Sequence, residues 1–266
     1  MQRHPFLAAL AAVPLVLAAA APADAPPRYA ALGDSYAAGV AAGDYDPAAG
    51  DCHRSANAYP ALWAADHGAT GFLAAACNGA TTADVRSGQL PRVGADTTVL
   101  TLTVGGNDLG FAGAAVDCLQ PLTTEARCAA ALDESGRRLR EELPGRLSAL
   151  YDDVRTAAPQ ARVVVTGYPH LLRTGTTCLI GTDPRRLRFN ALTDELDELI
   201  RRQADAHGFA FADVRTAFEG HGVCAGAGQE WITGIVLPRV WESFHPTPDG
   251  QSLGYLPAVT AATGPR

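Results

Sequence analysis

The chain of 266 residues has no lysine: all 21 of its basic residues are arginine, set against 28 acidic ones, for a formal net charge of −7. No block of basic residues stands out, so the electrostatic footprint that nucleic acid requires is missing. The lysine-free, alanine-rich composition reads as codon bias of a GC-rich genome and carries no functional message. Also missing are C-x-x-C and H-E-x-x-H patterns, which makes zinc a poor explanation of the cysteines. No serine stands in a G-x-S-x-G elbow, which disfavours the α/β-hydrolase fold. There are no internal repeats and no low-complexity linker. Beyond the N-terminus no second long apolar run occurs, so the mature chain is expected to be soluble, without stable membrane insertion.

What is present begins with a segment that does not belong to the fold. Residues 1–25 carry a short basic start (Arg3, His4), an apolar run from Phe6 to Ala21 and the A-x-A pattern Ala23-Asp24-Ala25. That is the pattern of a secretory signal peptide, and the run is short for a membrane span of ~20 residues. Residues 26–266 then form a single domain, large enough for one core. The net charge survives cleavage because Arg3 and Asp24 cancel. Cys52, Cys77, Cys118, Cys128, Cys178 and Cys224 all lie in this part. An even number in an exported chain implies disulfides. Pairing of neighbours is favoured, because Cys118 and Cys128 bracket a short loop and the other two pairs each staple a long one.

Apolar runs alternate with helical patterns along the chain. Strands are expected at Tyr29–Leu32, Phe72–Cys77, Thr98–Val104, Arg162–Thr166 and Phe209–Ala212. The third is β-branched and uninterrupted, as a central parallel strand should be. Helices are expected over Ala58–His67, Leu109–Val116, Glu125–Ala157 with a break at Pro144, and Pro184–His207, the last with Leu187, Leu192, Leu196 and Leu199 on one face. A final helix opens near Pro248. The alternation points to a parallel sheet with helices on both faces.

Four polar groups fall just past strands or in the last long loop: Ser35, Gly79, Asn107 and His245. Loops at the carboxyl end of a parallel sheet converge. Serine is a nucleophile, histidine a general base, and the Ser35 and Gly79 N–H groups with the Asn107 amide are oxyanion donors. Each has a duller explanation: Gly79 as a strand terminator, Asn107 as a helix cap, His245 as a surface turn. All four being dull, in this order, is the weaker reading.

The blocks Gly33-Asp34-Ser35, Gly79 within CNGATT, Gly105-Gly106-Asn107-Asp108 and HPTPDG from His245 to Gly250 resemble those of the SGNH hydrolases, also called GDSL lipases and esterases, and most of all its secreted, disulfide-bonded Streptomyces members. The resemblance spans nearly the whole mature chain. It implies a flavodoxin-like three-layer α/β/α sandwich of about five strands in the order 2-1-3-4-5. It implies Ser35 as nucleophile, His245 as base, the oxyanion donors just named, and a secreted lipase or esterase that needs no cofactor and no metal. One departure stands out. The family's acid commonly sits three residues before the histidine as Asp, and here that position is Glu242. Related secreted enzymes orient the histidine through a backbone carbonyl, for which Ser243 is the candidate. A triad with Glu242 and a dyad with a carbonyl both stay open, and the dyad is preferred.

The expected activity is hydrolysis of acyl esters by a monomer acting on small-molecule or lipid substrates. Trp231, Ile232, Ile235, Val236, Leu237 and Trp241 are candidates for an acyl-chain wall, and the small-residue loop after Ser35 suggests an open groove. The alternatives are a carbohydrate deacetylase on the same fold and a non-catalytic surface-binding module. Joint presence of Ser35, Asn107 and His245 speaks against the second of these.

Overall fold

The stretch around residues 98–104 occupies the middle of the sheet. In the computed structural model, which describes residues 25–120 and 122–264, β3 (Val99–Thr103) is flanked by β1 (Arg28–Gly33) and β4 (Arg162–Thr166). β2 (Thr70–Ala74) and β5 (Ala210–Ala212) form the edges. All pairings are parallel and the order is β2-β1-β3-β4-β5, with Gly33 opposite Thr103 and Leu102 opposite Val165. Leu32, Leu100, Leu102, Val164 and Val165 are fully buried, as strands covered on both faces must be. The segment read as a signal peptide lies almost wholly outside the described residues.

The helices are α1 (Ser35–Ala38), α2 (Tyr59–Asp66), the short turn α3 (Thr82–Asp84), α4 (Phe111–Leu119), α5 (Glu125–Glu141), α6 (Leu143–Ala157), α7 (Asp183–Ala206) and α8 (Leu256–Thr263). α2 packs with α8 on one side of the sheet, and α4 to α7 pack together on the other, which makes the three-layer sandwich. The break at Pro144 is the start of a new helix: Pro144 lies in the first turn of α6, where its missing N–H is not needed.

Three expectations need correction. β2 ends at Ala74, three residues early. The chain beyond it still bonds to β1 through Ala75 N to Ala31 O and Cys77 N to Gly33 O, but Cys77 is already turned into its disulfide with Cys52. Of the stretch after Ser35, only Tyr36–Ala38 belongs to a helical turn, α1, and not to the loop. On α7, Leu192, Leu196 and Leu199 are buried with Phe189 and Ile200, whereas Leu187 is 53% exposed. Leu187 precedes Leu192 by five residues, about 140° round a helix of ~3.6 residues per turn, so it cannot share that face.

Candidate active site

The turn that presents Ser35 is built from the sheet outward. Gly33 has φ +131°, and a Cβ there would lie 2.1 Å from the carbonyl oxygen of Thr103, so β3 permits only glycine. Gln89 completes this turn: its Oε1 accepts from Gly33 N at 2.8 Å and its Nε2 donates to Gly33 O at 2.8 Å. Asp34 caps α1, its Oδ1 accepting from Tyr36 N at 3.0 Å. Its Oδ2 accepts from the Tyr168 hydroxyl at 2.5 Å, and that hydroxyl in turn accepts from Gly106 N at 3.2 Å. Burial raises the Asp34 carboxyl to about 7 despite these donors. Tyr168 thereby ties the GDS block to the GGND block, a link that no local pattern announces.

His245 arrives from the opposite end of the chain. Its Nε2 lies 2.7 Å from Ser35 Oγ. Desolvation of the ring lowers its pKa to about 4, opposed by the carbonyls of Ser243 and Glu242, which favour the proton. The imidazole is therefore neutral at pH 7, with Nε2 free to accept from the serine hydroxyl. Nδ1 is sealed from water and forms no hydrogen bond of good geometry, but those two carbonyls are the groups it faces. The Glu242 carboxylate is engaged elsewhere: Oε1 accepts from the Tyr45 hydroxyl at 2.8 Å and Oε2 pairs with Arg239 Nε at 3.2 Å.

The remaining two predicted residues sit on loops that hold each other. Gly79 has φ +77°, with open space where a Cβ would go. Asn107 is not a helix cap, since α4 begins four residues later behind Gly110. Its Nδ2 instead donates to Ala80 O at 3.0 Å, a bond that uses one of its two N–H groups. The adjacent Asp108 accepts from Thr82 N at 2.9 Å and from Thr82 Oγ1 at 2.6 Å, locking the CNGATT segment to the GGND segment. The Cys52–Cys77 disulfide and the bond from Asn78 N to Cys52 O at 3.3 Å secure the same segment from its other side.

Ser35, Gly79, Asn107 and His245 all line one cavity of about 430 Å³. Its apolar wall comes chiefly from residues the sequence did not single out: Phe111, Ala115, Val116 and Leu119 on α4, and Phe189 on α7. The Phe111 and Phe189 rings are stacked with centroids 5.2 Å apart. Of the six wall candidates in the segment before His245, Ile235 and Trp241 line the cavity. Ile232 is core, Trp231 stacks on His221 at 3.8 Å, and Leu237 is 77% exposed. A helix was expected over Leu109–Val116, but nothing local says that one face of it looks onto Ser35.

The other cysteines pair as Cys118–Cys128 and Cys178–Cys224. Among the described residues, no three His, Cys, Asp or Glu side chains come together in a way that would hold a metal ion, and no helix is long and apolar enough to cross a membrane.

A parallel sheet in the order 2-1-3-4-5, with a serine and a histidine bonded at its carboxyl edge, is the architecture of the SGNH hydrolases. The chain belongs to the GDSL-like lipase/acylhydrolase family, whose model matches residues 31–253. It is 44% identical over 236 residues to a lipase of Streptomyces rimosus, covering 88% of this chain and 86% of that one. Among solved structures it is similar to phospholipase A1 from Streptomyces albidoflavus, with a TM-score of 0.85 and 41% identity, covering 90% of this chain and 100% of that one. An extracellular lipase from Streptomyces rimosus follows at a TM-score of 0.84 and 43% identity, covering 89% and 99%. The protein is thus an ester hydrolase.

Proposed function

We propose that the protein is a secreted serine esterase of the lipase type, which cleaves acyl esters through an acyl-enzyme on Ser35. The observation that carries this reading is the 2.7 Å contact between His245 Nε2 and Ser35 Oγ at the floor of an apolar-walled cavity. Ser35 Oγ attacks the ester carbonyl carbon while its proton passes to His245 Nε2. The tetrahedral oxyanion takes hydrogen bonds from the Ser35 and Gly79 N–H groups and the Asn107 amide. Collapse breaks the ester C–O bond, and the proton on Nε2 leaves with the alcohol. Water then repeats the sequence on the acyl-serine, releasing the acid and restoring Ser35. Each oxyanion donor is worth ~2.7–4 kcal/mol in comparable sites. His245 Nδ1 faces the carbonyls of the 242–243 segment and the Glu242 carboxylate is engaged by Tyr45 and Arg239, which supports Ser35 and His245 acting as a dyad without Glu242 as a third member.

The wall of Phe111, Val116, Leu119, Phe189 and Ile235 suits an aliphatic acyl chain. A sugar would need polar partners there, so the deacetylase alternative draws no support from this cavity. Export rests on the leader-like residues 1–25, on the three disulfides and on the extracellular relative. The test is labelling by a serine-reactive fluorophosphonate together with turnover of p-nitrophenyl esters and acetylated sugars. Wild type should label and should prefer p-nitrophenyl esters of aliphatic acids to acetylated sugars; Ser35→Ala should neither label nor turn over while remaining folded. Turnover that survives in folded Ser35→Ala defeats the reading.

A further inference from the structure

An imidazole base needs its direction fixed, and here no carboxylate does it. The residue before it makes the question sharper. Phe244 has φ +61°, a conformation that a bulky side chain adopts only when its surroundings impose it. Apart from the short turn Val240–Glu242 and an isolated antiparallel bridge between Ile232 and Pro246, this part of the chain has no regular structure among the described residues.

Two side chains supply the constraint. Thr233 makes five contacts of hydrogen-bond length with the segment, one of them from Oγ1 to His245 O at 3.2 Å. Its Oγ1 donates to Glu242 O at 2.5 Å and accepts from His245 N at 3.2 Å. Its main-chain N donates to His245 O at 2.9 Å, and its carbonyl accepts from Phe244 N at 3.0 Å. Glu242 O is one of the two carbonyls that Nδ1 of His245 faces, so the hydroxyl of Thr233 fixes an acceptor of the catalytic ring. The second is Tyr36, the residue directly after Ser35. Its hydroxyl donates to Phe244 O at 2.8 Å, and its ring centroid lies 5.3 Å from that of His245. Tyr36 is itself held: its N–H is bonded to Asp34, and its carbonyl accepts from Gln251 Nε2 at 3.0 Å. The neighbour of the serine therefore grips the neighbour of the histidine.

We propose that Tyr36 and Thr233 are positioning residues, a two-point clamp that sets His245 against Ser35 by hydrogen bonds to its backbone and so fixes the base without a carboxylate. The proposal rests on the Ser35–His245 reading above and goes beyond it by naming what holds the base in place. Both hydroxyls bond backbone groups of the 242–245 segment and not Ser35 Oγ or His245 Nε2, although the Tyr36 ring lines the cavity beside them. Their effect is therefore expected in kcat, with substrate binding nearly untouched.

The test uses the full mature enzyme. Thr233→Val keeps the shape and loses the hydroxyl; Thr233→Ser restores it; Tyr36→Phe loses only the other hydroxyl and keeps the buried ring. Thr233→Val and Tyr36→Phe should each lower kcat on the order of 10 to 10²-fold, the cost of a misplaced catalytic group, with KM within about twofold. Thr233→Ser should recover most of the loss. Because both hydroxyls act on one segment, the double variant should lose less than the product of the single losses. Wild-type kcat in folded Tyr36→Phe overturns the clamp. So does a Thr233→Ser enzyme as slow as Thr233→Val, a loss confined to KM, or multiplicative losses in the double variant. If Thr233→Val does not fold, Tyr36→Phe decides alone. Failure of the clamp leaves Ser35→Ala dead and the clamp variants active, whereas turnover in Ser35→Ala defeats the serine reading and the clamp with it.

Discussion

Replacing Glu242 by glutamine separates a dyad from a triad. The side chain is 8% exposed and makes two contacts, to the Tyr45 hydroxyl at 2.8 Å and to Arg239 at 3.2 Å. Glutamine keeps an Oε1 acceptor for Tyr45, so that bond survives. The pair with Arg239 is lost, but the Arg239 side chain is 59% exposed, and solvent screening limits such pairs to ~0–1 kcal/mol. Thermal midpoint should therefore fall by no more than ~2–4 °C for a chain of this size. Since no bond joins the carboxylate to His245, kcat should fall by less than about tenfold, at most ~1.4 kcal/mol of barrier. In a triad the loss of the carboxylate instead costs ~10⁴ in kcat, as serine proteases show. Steady-state hydrolysis of a p-nitrophenyl ester, normalised by fluorophosphonate titration of active sites, measures the difference, with a thermal melt as control for folding. A well-folded Glu242→Gln enzyme a thousandfold slower would show that the carboxylate reaches the ring during turnover and that the dyad is wrong.

Asn107→Ala should lower kcat by ~10² to 10³ with a smaller change in KM, as the proposed oxyanion role of its amide, acting on charge that develops in the transition state, requires. Unchanged kcat would reduce Asn107 to its bond with Ala80 O, a tether between loops. The pH profile offers an independent check. His245 must be neutral to accept the serine proton, and desolvation puts its pKa at about 4. Below that value the ring is protonated and idle; above it the base is available. The acid limb of kcat/KM should therefore lie near pH 4 and not near the ~6.5 of a hydrated imidazole. A limb at the higher value, in protein shown to be folded by circular dichroism, would mean that water reaches the ring.

The residues of the site were legible in the chain because they sit in short local patterns. Ser35 follows the end of an apolar strand, Gly79 and Asn107 follow two others, and His245 precedes a proline. The strand order followed from resemblance, and the alternation that makes the sheet parallel was visible in the periodicity itself. Strand β4 matches its expected bounds because its five residues are bounded by turn signals on both sides. β2 does not, because a disulfide to Cys52 governs its end, and that partner lies 25 residues away.

What only the tertiary structure decided is a set of contacts between residues far apart in sequence. Tyr168 reaches Asp34 across 134 positions, and Tyr36 reaches Phe244 across 208. Neither tyrosine differs locally from one that merely fills a core. The acyl wall is a further case: helices were expected at α4 and α7, and an apolar face at α7, but which faces border Ser35 depends on how the two helices pack across the sheet. The role of Glu242 was open for the same reason. Its position before His245 matches the family's acid, yet the carboxylate's partners, Tyr45 and Arg239, are set by the course of a loop that no periodicity describes. Local patterns specify which groups are near a turn or strand end. Which of them meet is decided when the sheet, its two helical layers and the long loop before His245 close on one another.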